Sequence, residues 1–379
     1  MDYTTTKLGF KIKKAVRYLR LYGMRRTVMK IKGQYHMKKQ YASLPALPTP
    51  PARGGRVGII GCGNYAFSNI GFYLHRAHAG TMRAAMDIDI HRAASFHENY
   101  GLRYYTDRAQ DILADRDIDL VYVASNHASH AEYAIQCIDA GKHVHIEKPH
   151  VVSEDQLRRL AAAMARRPDV KVFLGFNRPR SILFRTLCEL LSQQRGPLMI
   201  NWFVAGHEIS DDHWYFNESE GGRVLGNLCH WTDLTLKLVG TDNAFPCTII
   251  PATPAGSKSD FIVSVMFADQ SCASITFSAK GHTFEGVREV LNVHRGDLLA
   301  NITDFHTLTA EVVAERHTKR LLHRDHGHGI NILNSLSGGR GEEPSYIITT
   351  AVFFLAIRRA IDSGQPVALT AAEAGGQWK

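Results

Sequence analysis

A glutamate, a lysine and a proline in succession, Glu147-Lys148-Pro149, follow a β-like run from His143 to Ile146. Lysine and glutamate are costly to bury, and proline cannot continue a strand ladder. A strand that ends this way delivers its charges either to a cleft or to a solvated turn. In a cleft, an ammonium can hydrogen-bond an alcohol that is losing hydride and proton, or polarise a carbonyl being reduced. Upstream, Gly61-x-Gly63-x-x-Ala66 stands directly after an apolar run and opens a helix-like one. The first glycine permits a tight turn, the second lets backbone approach a pyrophosphate, and the small third residue lets helix and strand pack closely. Asn64 and Tyr65 lie inside this loop. The next β-like run ends in Asp87, 26 residues beyond Gly61. A carboxylate there can bind the ribose hydroxyls of NAD and repel a 2′-phosphate, whereas Arg92 nearby could favour NADP.

A second group lies in "HWYFNESEGGRVLGNLCHWTDL". His230 titrates near neutrality and is a candidate general acid/base; a satisfied structural histidine is the alternative. Asp233, three residues on, could orient its ring or pair along the helix. Trp214 and Tyr215 could stack on a sugar ring or simply pack. Asn177 and Arg178 follow the last strand of the first half and could touch substrate or an inter-domain hinge. His323, His326 and His328 are broken up by glycines and lack a second ligand cluster, so no metal site is expected. Lys280 and Arg288 are weaker substrate-face candidates.

The elements that must position these residues alternate strand and helix from Arg56 to about residue 178. "RVGIIG", "TMRAAMDID", "LRYYT", "DLVYVAS", "KHVHIEK" and "KVFLGF" read as strands, with helices expected at 64–78, 90–100, 108–115, 129–140 and 153–166. Such repetition implies a parallel sheet covered on both faces. After about residue 180, alternating runs such as "PLMINWFVAG" and "DFIVSVMFAD" imply an open, largely antiparallel sheet, with helices at 181–194, 222–239 and 346–363. The expected fold is therefore α/β: a doubly wound parallel sheet over 51–178, then an α+β domain over 179–379 for substrate and oligomerisation.

Charge is concentrated at the start. Residues 1–50 carry a net +11 and the remainder a net −2. The arm reads as a basic amphipathic helix stopped near Gly23, a second short helix, and a proline-rich spacer. It could lie on an anionic membrane surface or pack on a partner subunit or its own protomer; no nucleic-acid motif accompanies the charge. No apolar run approaches the roughly 18 residues that cross a bilayer, and no signal peptide is expected. Six scattered cysteines fit a reducing cytoplasm.

The glycine loop, "VASNHASHAEYAIQCIDAGKHVHIEKP" and "GFNRPRS" together resemble the Gfo/Idh/MocA oxidoreductases, the family of glucose-fructose oxidoreductase and inositol dehydrogenase. The resemblance covers 56–379. It implies a proline bond that is often cis, with Lys148 reaching both nicotinamide and sugar. It also implies a loop of Ser125, Asn126 and His130 beside the nicotinamide, although Asn126 or Ser129 may instead cap the next helix. Many members carry aspartate and histidine four apart; here the position four before His230 is Gly226, followed by Asn227. Relatives associated with polysaccharide biosynthesis read Gly-Glu-x-Cys-His there, and carry a substrate-loop histidine that His213 resembles. The resemblance needs no metal and implies pairing through the open sheet face.

The expected function is an NAD- or NADP-dependent oxidoreductase acting on a sugar or sugar nucleotide in polysaccharide or glycoconjugate synthesis. Lys148 and His230 are the expected catalytic pair. The expected cofactor residues are Gly61, Gly63, Asn64, Tyr65, Ala66, Asp87, Ser125, Asn126, His130, Glu147 and Lys148. The expected substrate residues are Asn177, Arg178, His213, Trp214, Asn227 and His230. A nucleotide-retaining epimerase, lyase or glycosidase, and a non-catalytic subunit, are the alternatives. A homodimer or homotetramer is expected, in the cytoplasm or at the inner membrane surface.

Overall fold

The computed structural model describes residues 6–47, 54–207, 209, 212–255, 257–279 and 286–376. Lys280 and part of the spacer therefore lie outside the described residues. The chain opens with α1 (Leu8–Tyr22) and α2 (Met24–His36), separated by Gly23 at φ +80°. Six strands then form a parallel sheet: β1 (Val57–Ile60), β2 (Met82–Met86), β3 (Tyr104–Thr106), β4 (Leu120–Val123), β5 (His143–Ile146) and β6 (Val172–Leu174). Their order is β3-β2-β1-β4-β5-β6. The order reverses between β1 and β4, and ligands of doubly wound sheets bind at the carboxyl ends of strands at that switch point. β1, β2 and β4 are buried at every residue, as strands covered on both faces must be.

The crossover helices are α3 (Phe72–Ala77), α4 (Ile90–Tyr100), α5 (Ala109–Ala114), α6 (His127–Asp139) and α7 (Glu154–Arg166). A π-helical turn, Ala66–Gly71, leads from the glycine loop into α3. Local chemistry sets the helix ends. Asp89 accepts from the His91 amide to start α4, and Gly101 ends it in the left-handed region. Ser153 caps α7 through the Gln156 amide, with Glu154 and Asp155 in the first turn where the helix dipole favours acids.

The second sheet has nine strands, more than the alternating runs suggested. They are β7 (Met199–Ala205), β8 (Cys247–Pro251), β9 (Phe261–Met266), β10 (Cys272–Ser278), β11 (Arg288–Arg295), β12 (Leu298–Thr303), β13 (Thr307–Val312), β14 (Glu315–Arg320) and β15 (Val367–Leu369). The order is β14-β13-β12-β11-β7-β10-β9-β8-β15, antiparallel throughout except for β7 beside β10. β14 is exposed along its length and β15 has three residues, so neither shows an alternating pattern. On β7, Ile200, Trp202 and Val204 point into the core, while Met199 and Phe203 point out of an open face. The covered face packs α8 (Ile182–Ser192), α9 (Cys229–Val239) after a π-helical turn Val224–Leu228, and α10 (Thr241–Ala244).

Two later helices depart from the sequence reading. α11 (His328–Leu336) comes from the second half yet packs on the first sheet. Tyr122 Oη donates to the Ile332 carbonyl (2.7 Å), and Asn331 donates to the Leu174 carbonyl (3.1 Å). α12 (Pro344–Ser363) does reach the length and apolar content of a membrane span, contrary to the expectation above, but Ile347, Phe353, Phe354, Ile357 and Ile361 bury it in the core. A short α13 (Ala371–Ala374), closed by a Thr370–Glu373 capping box, follows β15.

The arm packs on its own protomer, and by an unexpected side. α2 lies on the π-helical turn after the glycine loop. Arg26 donates to the Ser68 carbonyl and to Asn69 Oδ1, and Gly33 lets the helix approach Asn64. Leu21 is buried, and its carbonyl accepts from the Arg324 amide at 2.9 Å. Leu8, Ile12 and Val16, the apolar stripe of α1, face solvent.

Candidate active site

The glycine loop is built by backbone contact. Gly61 takes φ +89°, and a Cβ there would stand 2.5 Å from the Ser125 nitrogen, so only glycine lets the loop pass the end of β4. A Cβ on Gly63 would meet no atom within 4 Å, so this stretch of backbone is open for the close approach of a phosphate group. Ala66 is fully buried under the following turn. Asp87, at the end of β2, accepts from the amides of Cys62 (2.7 Å) and Asp89 (2.9 Å). Burial pushes its pKa up, against those two bonds. Arg92 pairs with Asp89 at 3.3 Å. Asn64 accepts from Ser68, and Tyr65 reaches across to His328 Nδ1 at 3.2 Å. These residues fit a dinucleotide: an open glycine turn, a helical N-terminus behind it, and a carboxylate with lone pairs to spare beside it.

Lys148 follows β5, and its bond to Pro149 is cis. Its Nζ donates to the Gly226 carbonyl at 2.6 Å. Burial works against the ammonium, but Tyr215, Cys229 and Glu147 outweigh it, so its pKa lies above the ordinary value and the group stays charged. Glu147 is buried, and one of its carboxylate oxygens has no hydrogen-bond partner among the described residues. Its other oxygen lies where a Cβ on Gly175 would come within 2.6 Å, so Gly175 makes room for it.

His130 serves the same strand end differently from the expected cofactor contact. Its Nδ1 faces the Pro149 carbonyl (2.8 Å) and its Nε2 the Ser125 carbonyl (3.1 Å); burial lowers its pKa, and the neutral ring donates its one N–H to one of these two loop carbonyls. Neither Asn126 nor Ser129 caps α6. Glu220, from the second domain, accepts from Asn126 Nδ2 (2.5 Å) and from the Ala128 amide (3.1 Å), placing a carboxylate on that helix N-terminus.

The missing aspartate has a structural counterpart. A Cβ on Gly226 would lie 2.6 Å from His127 Cε1 and 2.7 Å from Tyr215 Cε2. Two rings fill the place an acidic side chain would take, and the Gly226 carbonyl receives the lysine. Gly226→Asp is therefore expected to lose about 1–3 kcal/mol of stability by overpacking, with no gain in turnover. Urea unfolding and initial rates on the same variant check both statements.

His230 lies near Lys148 and Arg178. Burial first, and those cations next, push its pKa well below the ordinary value, so it is neutral at physiological pH, and its Nδ1 has no partner among the described residues. Asn227 Oδ1 is likewise buried and unpartnered. Asp233 does not orient His230. It turns to α12, accepting from Tyr346 Oη at 2.6 Å, and burial raises its pKa to about 6. His213 accepts from the Tyr215 amide (3.2 Å), and Trp214 and Tyr215 pack on His127, with ring centroids 4.7 and 4.5 Å away.

Arg178 reaches into the second domain. It grips Glu289 with two bonds (2.8 and 3.1 Å), while Trp231 Nε1 donates to the same carboxylate at 2.9 Å and His326 stands 3.1 Å away. Arg178 and His326 outweigh burial and hold the Glu289 carboxyl down at about 2. Asn177 donates to the His326 carbonyl (2.6 Å), and Arg288 pairs with Asp304. Sequence reasoning missed His127, Glu220 and Glu289. Nothing in their local patterns sets them apart, because each finds its partners across the domain boundary.

Residues 55–176 match the Gfo/Idh/MocA family, described as an oxidoreductase family with an NAD-binding Rossmann fold. Oxidoreductase P35 of Formosa agariphila is 31% identical over 134 residues, covering 35% of this chain and 41% of that protein. An inositol 2-dehydrogenase of Ralstonia nicotianae is 26% identical over 200 residues, covering 52% and 58%. The chain thus spans about two fifths to three fifths of the length of these curated relatives. Levoglucosan dehydrogenase in complex with NADH and levoglucosan superposes with a TM-score of 0.70 at 17% identity, over 83% of this chain and 99% of that one. GenD2 from gentamicin A biosynthesis, in complex with NAD, gives 0.68 at 20% identity over 88% and 100%. At such identities these two share the fold.

Proposed function

With residues 55–176 belonging to the NAD-binding Gfo/Idh/MocA oxidoreductases, we propose that the chain oxidises or reduces one carbinol of a sugar or sugar nucleotide, in polysaccharide or glycoconjugate synthesis. The observation that carries this is the charged Lys148 amine, held on the Gly226 carbonyl at the carboxyl end of the parallel sheet, two strands from the glycine loop. NAD, when bound, supplies the acceptor for a hydride at its nicotinamide ring. Gly61, Gly63 and the helix behind them hold its phosphates, and Asp87 its ribose, which favours NAD over NADP.

Lys148 donates to the substrate oxygen and orients the carbinol. Neutral His230 is the acceptor for the hydroxyl proton as hydride leaves the carbinol carbon, and returns it in the reverse direction; burial and the Arg178 and Lys148 charges make it a weak base, so Lys148 carries most of the charge developing on the oxygen. Asn227 Oδ1 offers an acceptor for a second hydroxyl, and Trp214 and His213 offer faces for the ring. Initial rates at 340 nm with NAD or NADP and a panel of polyols, sugars and nucleotide sugars test the reading. Turnover on at least one supports it; NADH binding with no turnover on any would make the chain a non-catalytic subunit.

A second reading is favoured by one contact. α2 sits on the glycine loop, His36 bonding the Cys62 carbonyl (2.6 Å) and stacking on Phe67. A nucleotide beneath it would exchange slowly, as suits an epimerase, lyase or glycosidase that oxidises and re-reduces its substrate. Product formed without added nucleotide, by protein that keeps its nucleotide through dialysis, identifies that case. The open face with Met199, Phe203, Ile262, Met266 and Leu299 exposed suits a homodimer or homotetramer. Six free thiols suit a reducing cytoplasm.

A further inference from the structure

An amphipathic helix ordinarily turns its apolar stripe to the body of the protein. The arm does the reverse. On α1 Leu8, Ile12 and Val16, and on α2 Met24, Val28 and Ile31, stand between 43% and 72% exposed, while aromatic and polar residues make the contacts inward. Basic residues Lys7, Lys13, Arg20, Arg25 and Lys32 flank this stripe, all exposed, and no acid occurs between Asp2 and Asp87.

Between α1 and α2 lies a cavity of about 410 Å³. Its walls are mixed in a particular way: Phe10 and Tyr18 among the apolar groups, Lys14, Lys30 and His207 among the polar ones, and no carboxylate among the described residues that line it. Ile12 and Ile31 belong both to this lining and to the exposed stripe, so the cavity opens where the apolar surface is widest. The Lys30 amine makes no hydrogen bond or ion pair with any described residue. Desolvation holds its pKa down at about 8, and the one charged neighbour acting on it among the described residues, Arg26, is also a cation. Among the described residues, the charged groups acting on His207 are also cations, Lys14, Lys30 and Arg223. No described residue gives the Lys30 amine a counter-charge; a cation so placed in an apolar recess is costly, and an anion entering from outside would remove that cost.

We propose that this cavity binds the anionic head of a membrane lipid, with the exposed stripe of α1 and α2 seated on the acyl chains, so that the arm docks the protein on an anionic bilayer. The phosphate meets Lys30; the chains meet Ile12, Ile31 and their neighbours. Because α2 also rests on the glycine loop, docking would bring the dinucleotide-binding domain to the membrane surface. The proposal does not depend on which reaction the site performs.

Full-length protein floated with phosphatidylglycerol vesicles, with phosphatidylcholine vesicles, and titrated by calorimetry with dodecyl phosphate and with inorganic phosphate tests it. Binding to the anionic vesicles and to dodecyl phosphate, weakened by salt and at least tenfold poorer with phosphatidylcholine and inorganic phosphate, is the expected result. Lys30→Gln should lower vesicle affinity about fivefold, since one surface cation is worth that much. Ile31→Glu, at an exposed position that leaves the fold intact, should lower it at least tenfold. Equal binding to neutral and anionic vesicles overturns the proposal, as does binding that neither variant changes. Binding of inorganic phosphate as tight as dodecyl phosphate would make the cavity a free-phosphate site and overturn the lipid assignment. So would a wild-type oligomer that Ile31→Glu dissociates while neither protein binds vesicles; the stripe would then belong to a second copy.

Discussion

Lys148→Ala is expected to lower kcat/KM on the protein's sugar substrate by about 10²–10⁴-fold, the range for a positioned proton or hydrogen-bond donor, while NADH affinity changes little. The amine is the charged group presented at the end of β5, and its bond to the Gly226 carbonyl fixes its direction. Truncation removes the donor to the reacting oxygen but leaves the glycine loop and Asp87 untouched. Lys148→Arg should restore little, because a planar guanidinium does not reproduce the point-like donor that the Gly226 carbonyl holds in place. Initial rates give kcat and KM separately, and NADH fluorescence titration gives cofactor binding. A variant as fast as wild type would remove Lys148 from the reaction.

Glu289→Gln is the largest expected stability change, a loss of about 3–5 kcal/mol, because it leaves Arg178 buried with its charge uncompensated. Arg178, Trp231 and His326 all converge on this carboxylate, which is 1% exposed. The pH dependence has a definite sign. The folded pKa, about 2, lies below the ordinary 4.5. The stabilisation is therefore fully present above pH 4.5 and lost as pH falls toward 2. The wild-type advantage over Glu289→Gln should be constant from pH 5 to 7 and shrink below pH 4.5. Urea midpoints across that range measure it, and a difference under 1 kcal/mol at pH 7 would contradict the ion-pair account. Arg178→Met combined with Glu289→Met should recover much of the loss, since the penalty arises from the orphaned charge.

The first domain was legible because its residue types answer local demands. Gly61 must turn where a side chain would strike Ser125, and the run Val57–Ile60 is apolar throughout because both faces of β1 are covered. α4 runs over the expected 90–100, and the structure shows Asp89 and Gly101 setting its ends. What was not legible lies between elements. Arg178 and Glu289 are 111 residues apart, and Trp231 is 58 from the same glutamate, so no spacing pattern connects them. Periodicity gave α1 an apolar face but not the direction in which it points. Gly226 read as a lost acid; only the positions of His127 and Tyr215 explain why glycine stands there. α11 belongs to the second half of the chain and covers the first sheet, a choice set by Tyr122, Asn331 and the buried pair of His145 Nδ1 with Ser335 Oγ at 2.8 Å.

The proposed reaction requires a dinucleotide on the turn at Gly63. Since a Cβ there meets no protein atom within 4 Å, Gly63→Val should fold with an unchanged melting temperature yet carry its isopropyl group into the space the phosphates need. Calorimetric titration of NADH into wild type and Gly63→Val is the direct measurement. One site per chain in the wild type, and affinity at least about 100-fold weaker in the variant, the loss expected when close backbone approach is blocked, is the predicted result. Equal affinity in both proteins, or no binding by the wild type, would contradict it.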